Sequence, residues 1–400
     1  MRRDIIPLKV SESEVKYALY CFVILRLCGC KSDLQQKNIY KIYLLLFAAA
    51  LACLAWFTKP DYTMDLYRAY GQLDLFRQIS FGKAYSYYGA SNPLTLVYYY
   101  ALARICPENG LLPALTVFIV YGFSFALLYK AAMRFDSTKK EMNMALLFFM
   151  ANFNYFYVID NTRIYICFAV LAYFMYVDIV EKKHRIFCFL VYAALCYFHY
   201  GILPFVLIRI VLLLIKKTLP IVKKAFIVIL PVLIFAANKI AIALGSASDG
   251  LLGTVEKKVS GYSDYEAFGI WQFSMSIIRL VLALLIMLLS MTIAESLFKK
   301  KNTDGLFGNR LLNGMYNYDW MIVYSIVTIF LFASNYQFVL RTPNFIQIAL
   351  SVPLLFLLYR FRNPVNKNLK PYTYILLSAE SVIHFAYLLL YVYNNAQFVL

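Results

Sequence analysis

Charged residues are scarce in this chain. They make up 15% of its 400 residues, whereas hydrophobic residues make up 62%. A soluble protein of this length could not bury so much apolar surface, so the composition excludes one and predicts a polytopic integral membrane protein. Strand-length segments of alternating polarity are also lacking. Backbone polar groups in lipid must be satisfied within each segment, so the long apolar runs predict an all-α fold.

Acidic residues are scarcer than basic ones. The chain has 21 Asp and Glu against 39 Lys and Arg, a formal net charge of +18. Such an excess can indicate a nucleic-acid-binding protein. Here, however, the basic residues cluster between apolar runs, as cytoplasmic loops do under the positive-inside rule. The sequence therefore predicts contact with membrane lipid and no nucleic-acid partner.

Motifs for the common cofactors are missing. There is no glycine-rich phosphate loop followed by lysine, no zinc-protease histidine pair and no dinucleotide fingerprint. These absences argue against ATP-driven transport and nucleotide-cofactor chemistry. The eight cysteines lie mostly in or beside apolar runs, without metal-ligand spacing, and are interpreted as small core residues. We predict no cofactor and no metal centre.

Lysine-rich clusters predict how the chain threads the membrane. Residues 1–39 are predicted to be a cytoplasmic segment with an interfacial helix, and residues 40–400 a single transmembrane domain of about 10–12 helices. Within that domain we expect outer loops at 58–92 (with amphipathic helices) and 245–272, and an inner loop at 298–318. The predicted spans are 40–57, 111–132, 142–160, 162–179, 222–244, 273–297, 319–340, 342–360 and 372–393. The segment 93–106 is short for a span and is interpreted as re-entrant or interfacial.

The apolar segment 186–215 lies between two basic clusters that are both predicted to be cytoplasmic. It is too short for two spans of about 20 residues each. We therefore predict a broken hairpin with its apex at His199-Tyr200-Gly201, recessed in the outer leaflet. Irregular backbone at that depth is tolerated only where it lines a cavity or is buried in protein. The alternative is one long tilted helix. Arg209, near the following lysines, is predicted to snorkel inward.

Arg163 lies between two apolar runs that are each long enough to cross a bilayer. A charge at mid-bilayer costs roughly 2.5–3.5 kcal/mol on insertion scales, so Arg163 is a candidate functional residue. Converging cations would suit a lipid-linked pyrophosphate, because guanidinium groups bind phosphate oxygens bidentately. The predicted topology places four further basic residues on the same outer side: His199, Lys239, Arg279 and Arg341. For Arg279 and Lys239, the alternative is snorkelling to lipid phosphate.

Two acidic residues follow the first predicted span. Asp61 and Asp65 are spaced i, i+4, so on a helix their carboxylates would share one face. They could bind a divalent cation, act as a general base or hydrogen-bond to sugar hydroxyls, while Tyr62 stacks on a pyranose ring. The alternative is an interfacial aromatic belt with a solvated acidic face.

Four short patterns occur in order along the chain. They are Pro60-Asp61-Tyr62 after the first span, Asn161-Thr162-Arg163 at the start of another, Phe198-His199 closing an apolar stretch, and Arg341 before a late span. In their order and spacing these patterns resemble the EpsG-like, Wzy-type family of bacterial polysaccharide polymerases, over most of 40–360.

The resemblance implies a type-C membrane glycosyltransferase with an outer-face cavity, in the bacterial cytoplasmic membrane with a cytoplasmic N-terminus. Such enzymes join undecaprenyl-pyrophosphate-linked repeat units without nucleotide sugars, and a chain-length regulator and a flippase would be partners. In this interpretation Arg163 and Arg341 stabilise the departing pyrophosphate. His199 activates the acceptor hydroxyl or contacts phosphate, and Asp61 is the alternative base. The predicted substrate-binding residues are Tyr62, Asp65, Asp160, Asn161, Lys239 and Arg279.

Two other functions are compatible with much of this pattern. A lipid-linked oligosaccharide flippase or other transporter would be expected to have pseudo-symmetric halves, which the sequence does not show. An O-antigen ligase or a membrane acyltransferase shares the cationic site, and a ligase differs from a polymerase only in the acceptor.

Overall fold

The computed structural model describes residues 33–60, 62, 64–88, 93–215, 225, 229, 270–300, 309–331, 336–362 and 368–395. The α-helices in this part of the chain are α1 (Asp33–Trp56), α2 (Asp65–Gln78), α3 (Phe81–Tyr88), α4 (Pro93–Ile105), α5 (Leu111–Arg134), α6 (Lys139–Asn152), α7 (Tyr155–Asp160), α8 (Thr162–Tyr176), α9 (Arg185–Phe198), α10 (Leu203–Leu214), α11 (Ile270–Lys300), α12 (Asn309–Leu331), α13 (Tyr336–Arg341), α14 (Pro343–Arg360) and α15 (Lys370–Asn395). A π-helix (Val177–Glu181) continues α8, and a 3-10 turn (Tyr200–Ile202) precedes α10. None of the described residues forms a β-strand, so the all-α prediction is confirmed for them.

Five of these helical segments are long and apolar enough to cross a membrane. They are Asn38–Trp56, Leu111–Arg134, Thr162–Glu181, Phe273–Ser296 and Val339–Arg360, and each overlaps a predicted span. The described residues therefore have the helices of a multi-pass membrane protein. The predicted span at 222–244 falls almost entirely outside the described residues, as does the outer loop at 245–272, of which only 270–272 is described.

Leucines and other large apolar side chains cover the outside of the bundle. Ile42, Leu45 and Leu46 on α1 are exposed, as are Ile186 and Leu190 on α9. In water this surface would be costly, whereas lipid tails solvate it without penalty. Helix α14 is the opposite case, since every residue in it except Tyr359 is buried. It packs against α5, α6, α8, α11 and α12 and forms the centre of the bundle.

The helices of the structure differ from three predicted boundaries. The predicted span 142–160 is two helices, because Asn154 breaks it and its side-chain oxygen accepts hydrogen bonds from Phe156 N and Tyr157 N at the start of α7. The predicted inner loop at 298–318 is mostly helical, since α11 continues to Lys300 and α12 begins at Asn309. The first helix begins at Asp33, within the segment 1–39, and residues 1–32 lie outside the described part.

The segment 186–215 is a broken hairpin, as predicted. Arg185 at the start of α9 and Arg209 in α10 bind opposite oxygens of the same carboxylate, that of Asp178. One continuous helix would place these arginines about 36 Å apart, at 1.5 Å per residue. The chain therefore reverses direction at His199, and the alternative of a single tilted helix is wrong.

Candidate functional site

Several helix ends meet at one end of the bundle, at the start of α2 and α8 and at the end of α7 and α13. Arg341, the last residue of α13, donates from Nη2 to Asp65 Oδ2 at 2.8 Å. Asp65 is the first residue of α2 and lies 276 positions away in the chain. Its other oxygen accepts from Arg68 Nη1 at 3.2 Å, and Arg68 is exposed. This ion pair closes the site across distant parts of the sequence.

Asp160, the last residue of α7, holds the start of α2 in place. Its Oδ1 accepts a hydrogen bond from Leu66 N at 3.3 Å, which satisfies a first-turn N–H that has no partner within the helix. Asn161 donates from Nδ2 to the other oxygen of Asp160 at 3.2 Å. Burial, together with the negative charge of Asp65, raises the pKa of Asp160 to about 6. The pKa of Asp160 therefore lies closer to neutral pH than that of an ordinary carboxyl group.

Arg163, the second residue of α8, is a cation without an ion-pair partner among the residues that the structure describes. Its side chain is half-buried, and within the described residues its guanidinium makes no hydrogen bond or ion pair. Burial raises the pKa of Tyr99, while the nearby charges of Arg163 and Asp65 act on it in opposite directions. The Tyr99 hydroxyl is hydrogen-bonded to Thr162 Oγ1 at 2.9 Å. Tyr99 is thus close enough to feel the charges of both Arg163 and Asp65. We call Asp65, Tyr99, Asp160, Arg163 and Arg341 the Arg163 cluster.

His199 lies at the same end of the bundle, at the apex of the hairpin. Its Nδ1 accepts a hydrogen bond from Gly201 N at 3.0 Å, so in the neutral ring the proton is on Nε2. A Cβ on Gly201 would lie 2.8 Å from His199 Cε1 and 3.5 Å from Ile164 Cδ1, which shows how closely the apex packs on the residue after Arg163. A side chain at position 201 would displace the imidazole.

Helix α4 ties the apex to the Arg163 cluster. Thr95 donates from Oγ1 to Phe198 O at 2.6 Å, and one turn later Tyr99 contacts Thr162. Arg163 and His199 are thus held on one side of the bundle by a single short helix. Sequence reasoning assigned no role to Thr95 or Tyr99, although their i, i+4 spacing in the segment interpreted as interfacial places both on one helix face.

Arg279 has its contacts elsewhere. It is almost fully buried and donates from Nη2 to Asn152 O at 2.8 Å, at the end of α6. Its charge acts on Glu380 and His384 of α15, and Gln347 of α14 donates to Glu380. These residues form a second polar cluster inside the bundle. The structure therefore places Arg279 among residues that do not belong to the Arg163 cluster.

The remaining predicted site residues have mixed outcomes. Tyr62 is 67% exposed and is described only as an isolated residue near the start of α2. Asp61 and Lys239 lie outside the described residues. No family model, no curated protein and no solved structure matches this chain.

Proposed function

We propose that this protein is a type-C membrane glycosyltransferase of the EpsG-like, Wzy-type family, acting on the outer side of the bacterial cytoplasmic membrane. It would transfer a growing glycan from one undecaprenyl pyrophosphate to the sugar of another lipid-linked repeat unit. The observation that carries this proposal is the half-buried Arg163 guanidinium, which has no ion-pair partner among the described residues and whose charge, like that of Asp65, acts on Tyr99. A cation kept in this setting is costly unless an anionic ligand compensates it.

The position of Arg163 strengthens the case for a phosphate ligand. It is the second residue of α8, so the N–H groups of that helix terminus lie beside it and favour negative charge. The Asn161 side chain makes no capping hydrogen bond to this terminus. A pyrophosphate at the end of a bundle would keep its head group at the interface and its isoprenoid tail among apolar helices.

The chemistry that this site would perform is a displacement at the anomeric carbon. The acceptor hydroxyl oxygen bonds to that carbon, and the bond from the carbon to pyrophosphate breaks with its electron pair moving to the phosphate oxygen. Arg163 and Arg341 would stabilise the charge that grows on the phosphate, as preorganised cations do in a water-poor site. The hydroxyl proton must pass to a base.

Asp160 is better suited than His199 to act as the base that accepts this proton. The Nδ1 of His199 already accepts from Gly201 N, so this nitrogen does not also take the hydroxyl proton. In its protonated form the imidazole would bind phosphate. Asp160 has a pKa of about 6, close to the value at which a general base works well at neutral pH. We therefore assign proton removal to Asp160 and phosphate binding to His199.

Replacing Arg163 tests the proposal directly. Purified protein in lipid nanodiscs is incubated with one lipid-linked repeat unit, and the products are separated by length. We expect Arg163→Ala to lower the rate of chain growth about 100-fold or more, the effect of removing one donor to a developing oxyanion. Arg163→Lys should retain part of the rate, since it keeps the charge but loses the bidentate geometry.

The arginines that bind Asp65 provide a matched control. Arg341→Ala removes the half-buried partner and should also stop chain growth. Arg68→Ala removes an exposed partner of the same carboxylate, so the rate of chain growth should stay within about twofold of the wild-type rate. Normal-length polymer from Arg163→Ala would refute the proposal. A transporter would give no product from a single repeat unit in any variant, and a ligase would need a different acceptor.

A further inference from the structure

A second cationic site lies at the opposite end of the bundle. The helix that begins at Thr162 runs through the π-helix to Glu181, which places the two ends about 30 Å apart. A cleft opens at the Glu181 end, between the π-helix, α9, α10 and α12. Its polar lining consists of Asp178, Lys182, Arg185, Arg209 and Asn317. Three of these side chains are basic and one is acidic.

A single buried carboxylate organises the two arginines. Asp178, in the π-helix, is fully buried; its Oδ2 accepts from Arg209 Nε at 2.6 Å and its Oδ1 from Arg185 Nε at 3.2 Å. Arg209 is only 4% exposed, and its guanidinium lies over the Phe189 ring, with 5.9 Å from Cζ to the ring centroid. The prediction that Arg209 snorkels inward is therefore wrong, because a buried partner holds it in place.

Asp178 engages both arginines through Nε and leaves their terminal groups unused. Among the described residues, neither Arg185 nor Arg209 donates a hydrogen bond from Nη1 or Nη2. The planar fork of a guanidinium matches two oxygens of a phosphate group. The carboxylate of Asp178 orients the guanidinium groups of Arg185 and Arg209, and Lys182 is part of the same lining. The cleft therefore has more positive than negative charge.

We propose that this cleft binds a phosphate group, and that the group belongs to the head group of an anionic phospholipid. The cleft lies at the end of a membrane-spanning helix, where lipid phosphates are concentrated, and basic pockets between such helices bind anionic head groups. The exposed apolar face of α9, with Ile186 and Leu190, provides a surface for the acyl chains next to Arg185.

The test uses the full chain and two point variants that avoid the buried pair. Lys182→Gln and Arg185→Gln each remove one cation of the lining, while Lys183→Gln removes the exposed lysine next to Lys182 and is the matched control. Protein in nanodiscs of phosphatidylcholine with a minority of phosphatidylglycerol is transferred to detergent, and retained lipid is counted by native mass spectrometry. We expect about tenfold less retained phosphatidylglycerol for the two variants and no change for the control, since each loses a charge-assisted hydrogen bond.

Unfolding transitions in pure phosphatidylcholine check that the variants fold. Without the anionic lipid Lys182→Gln should match the wild type, whereas Arg185→Gln should unfold cooperatively at a lower midpoint, because it loses its contact to Asp178. A second arm adds inorganic phosphate to lipid-depleted protein in detergent. If phosphatidylglycerol raises the unfolding midpoint and phosphate does not, the site binds the lipid head group. If phosphate raises the midpoint equally, the site binds the free anion. Wild-type retention in Lys182→Gln and Arg185→Gln, or the same loss in Lys183→Gln, would overturn the proposal.

Discussion

Asp160 is the residue whose protonation the proposed reaction depends on most. Its pKa of about 6 lies above the ordinary value of 3.8, because burial and the charge of Asp65 disfavour its ionised form. As the pH falls below about 6, a growing fraction of the carboxyl groups is protonated and cannot take the proton of the acceptor hydroxyl. As the pH rises above that value, the ionised form, which is able to act as a base, predominates.

The rate of chain growth should therefore rise with pH and level off above about 6. We expect Asp160→Asn to remove this rise of the rate with pH and to lower the rate at the plateau about 100-fold, as the loss of a general base does. A pyrophosphate diester substrate is suitable because it does not titrate in this range. If the rate of Asp160→Asn depended on pH as that of the wild type does, the base would be another group.

The same pKa has a consequence for stability, with the opposite dependence on pH. Because the folded state binds the Asp160 proton more tightly than the unfolded chain does, ionisation between about pH 4 and pH 6 weakens the folded state. In Asp160→Asn that dependence is absent. The difference between the unfolding midpoints of Asp160→Asn and the wild type should therefore shift in favour of the variant as the pH rises through this window. The activity of the variant, by contrast, should be lower than that of the wild type.

The contact between α12 and the π-helix shows why the polar stretch after residue 308 is helical and packed. Gly314 faces the π-helix so closely that a Cβ would lie 2.9 Å from Val180 O and 3.2 Å from Ile179 O. These neighbours are backbone atoms, so they cannot move aside as a flexible side chain would. The glycine allows α12 to approach the element that carries Asp178.

Gly314→Ala should accordingly destabilise the protein by about 1–3 kcal/mol, the cost of overpacking a close contact. The unfolding midpoint in detergent or nanodiscs measures this. Gly122→Ala in α5 is the matched control, because a Cβ there meets nothing within 4 Å and the change favours the helix. Equal midpoints for the two variants would show that the contact is looser than the structure indicates.

The orientation of the bundle in the membrane is a further prediction: the Arg163 cluster faces outside and the basic cleft faces the cytoplasm. Tyr62 is exposed near the Arg163 cluster, and Lys183 is exposed beside the basic cleft. In a cysteine-free background, a membrane-impermeant maleimide should label Tyr62→Cys in intact cells and Lys183→Cys only after permeabilisation. The physical reason is the excess of lysine and arginine at the second end, which favours retention on the cytoplasmic side. The reverse pattern would place the Arg163 cluster inside the cell and contradict the proposed reaction.

Much of the architecture follows from local properties of the chain. The membrane class, the five long apolar helices and the break at His199 depend on runs of apolar residues and on one short polar interruption, and these can be counted along the sequence. The ends of helices were less predictable. Asn154 divides a predicted span, and Gly314 allows a polar stretch to pack, because each effect depends on a neighbouring element.

The candidate site depends on contacts between residues far apart in the chain. Composition and charge distribution alone indicated that Arg163 is unusual, since a cation between two spans is costly wherever it lies. Only the tertiary structure decided that Arg341 pairs with Asp65, that Tyr99 lies beside Arg163, and that Arg279 and Arg209 have other partners. Hydrophobicity acts on each segment separately and can be read from the sequence, whereas the pairing of buried charges depends on which helices meet and at what height.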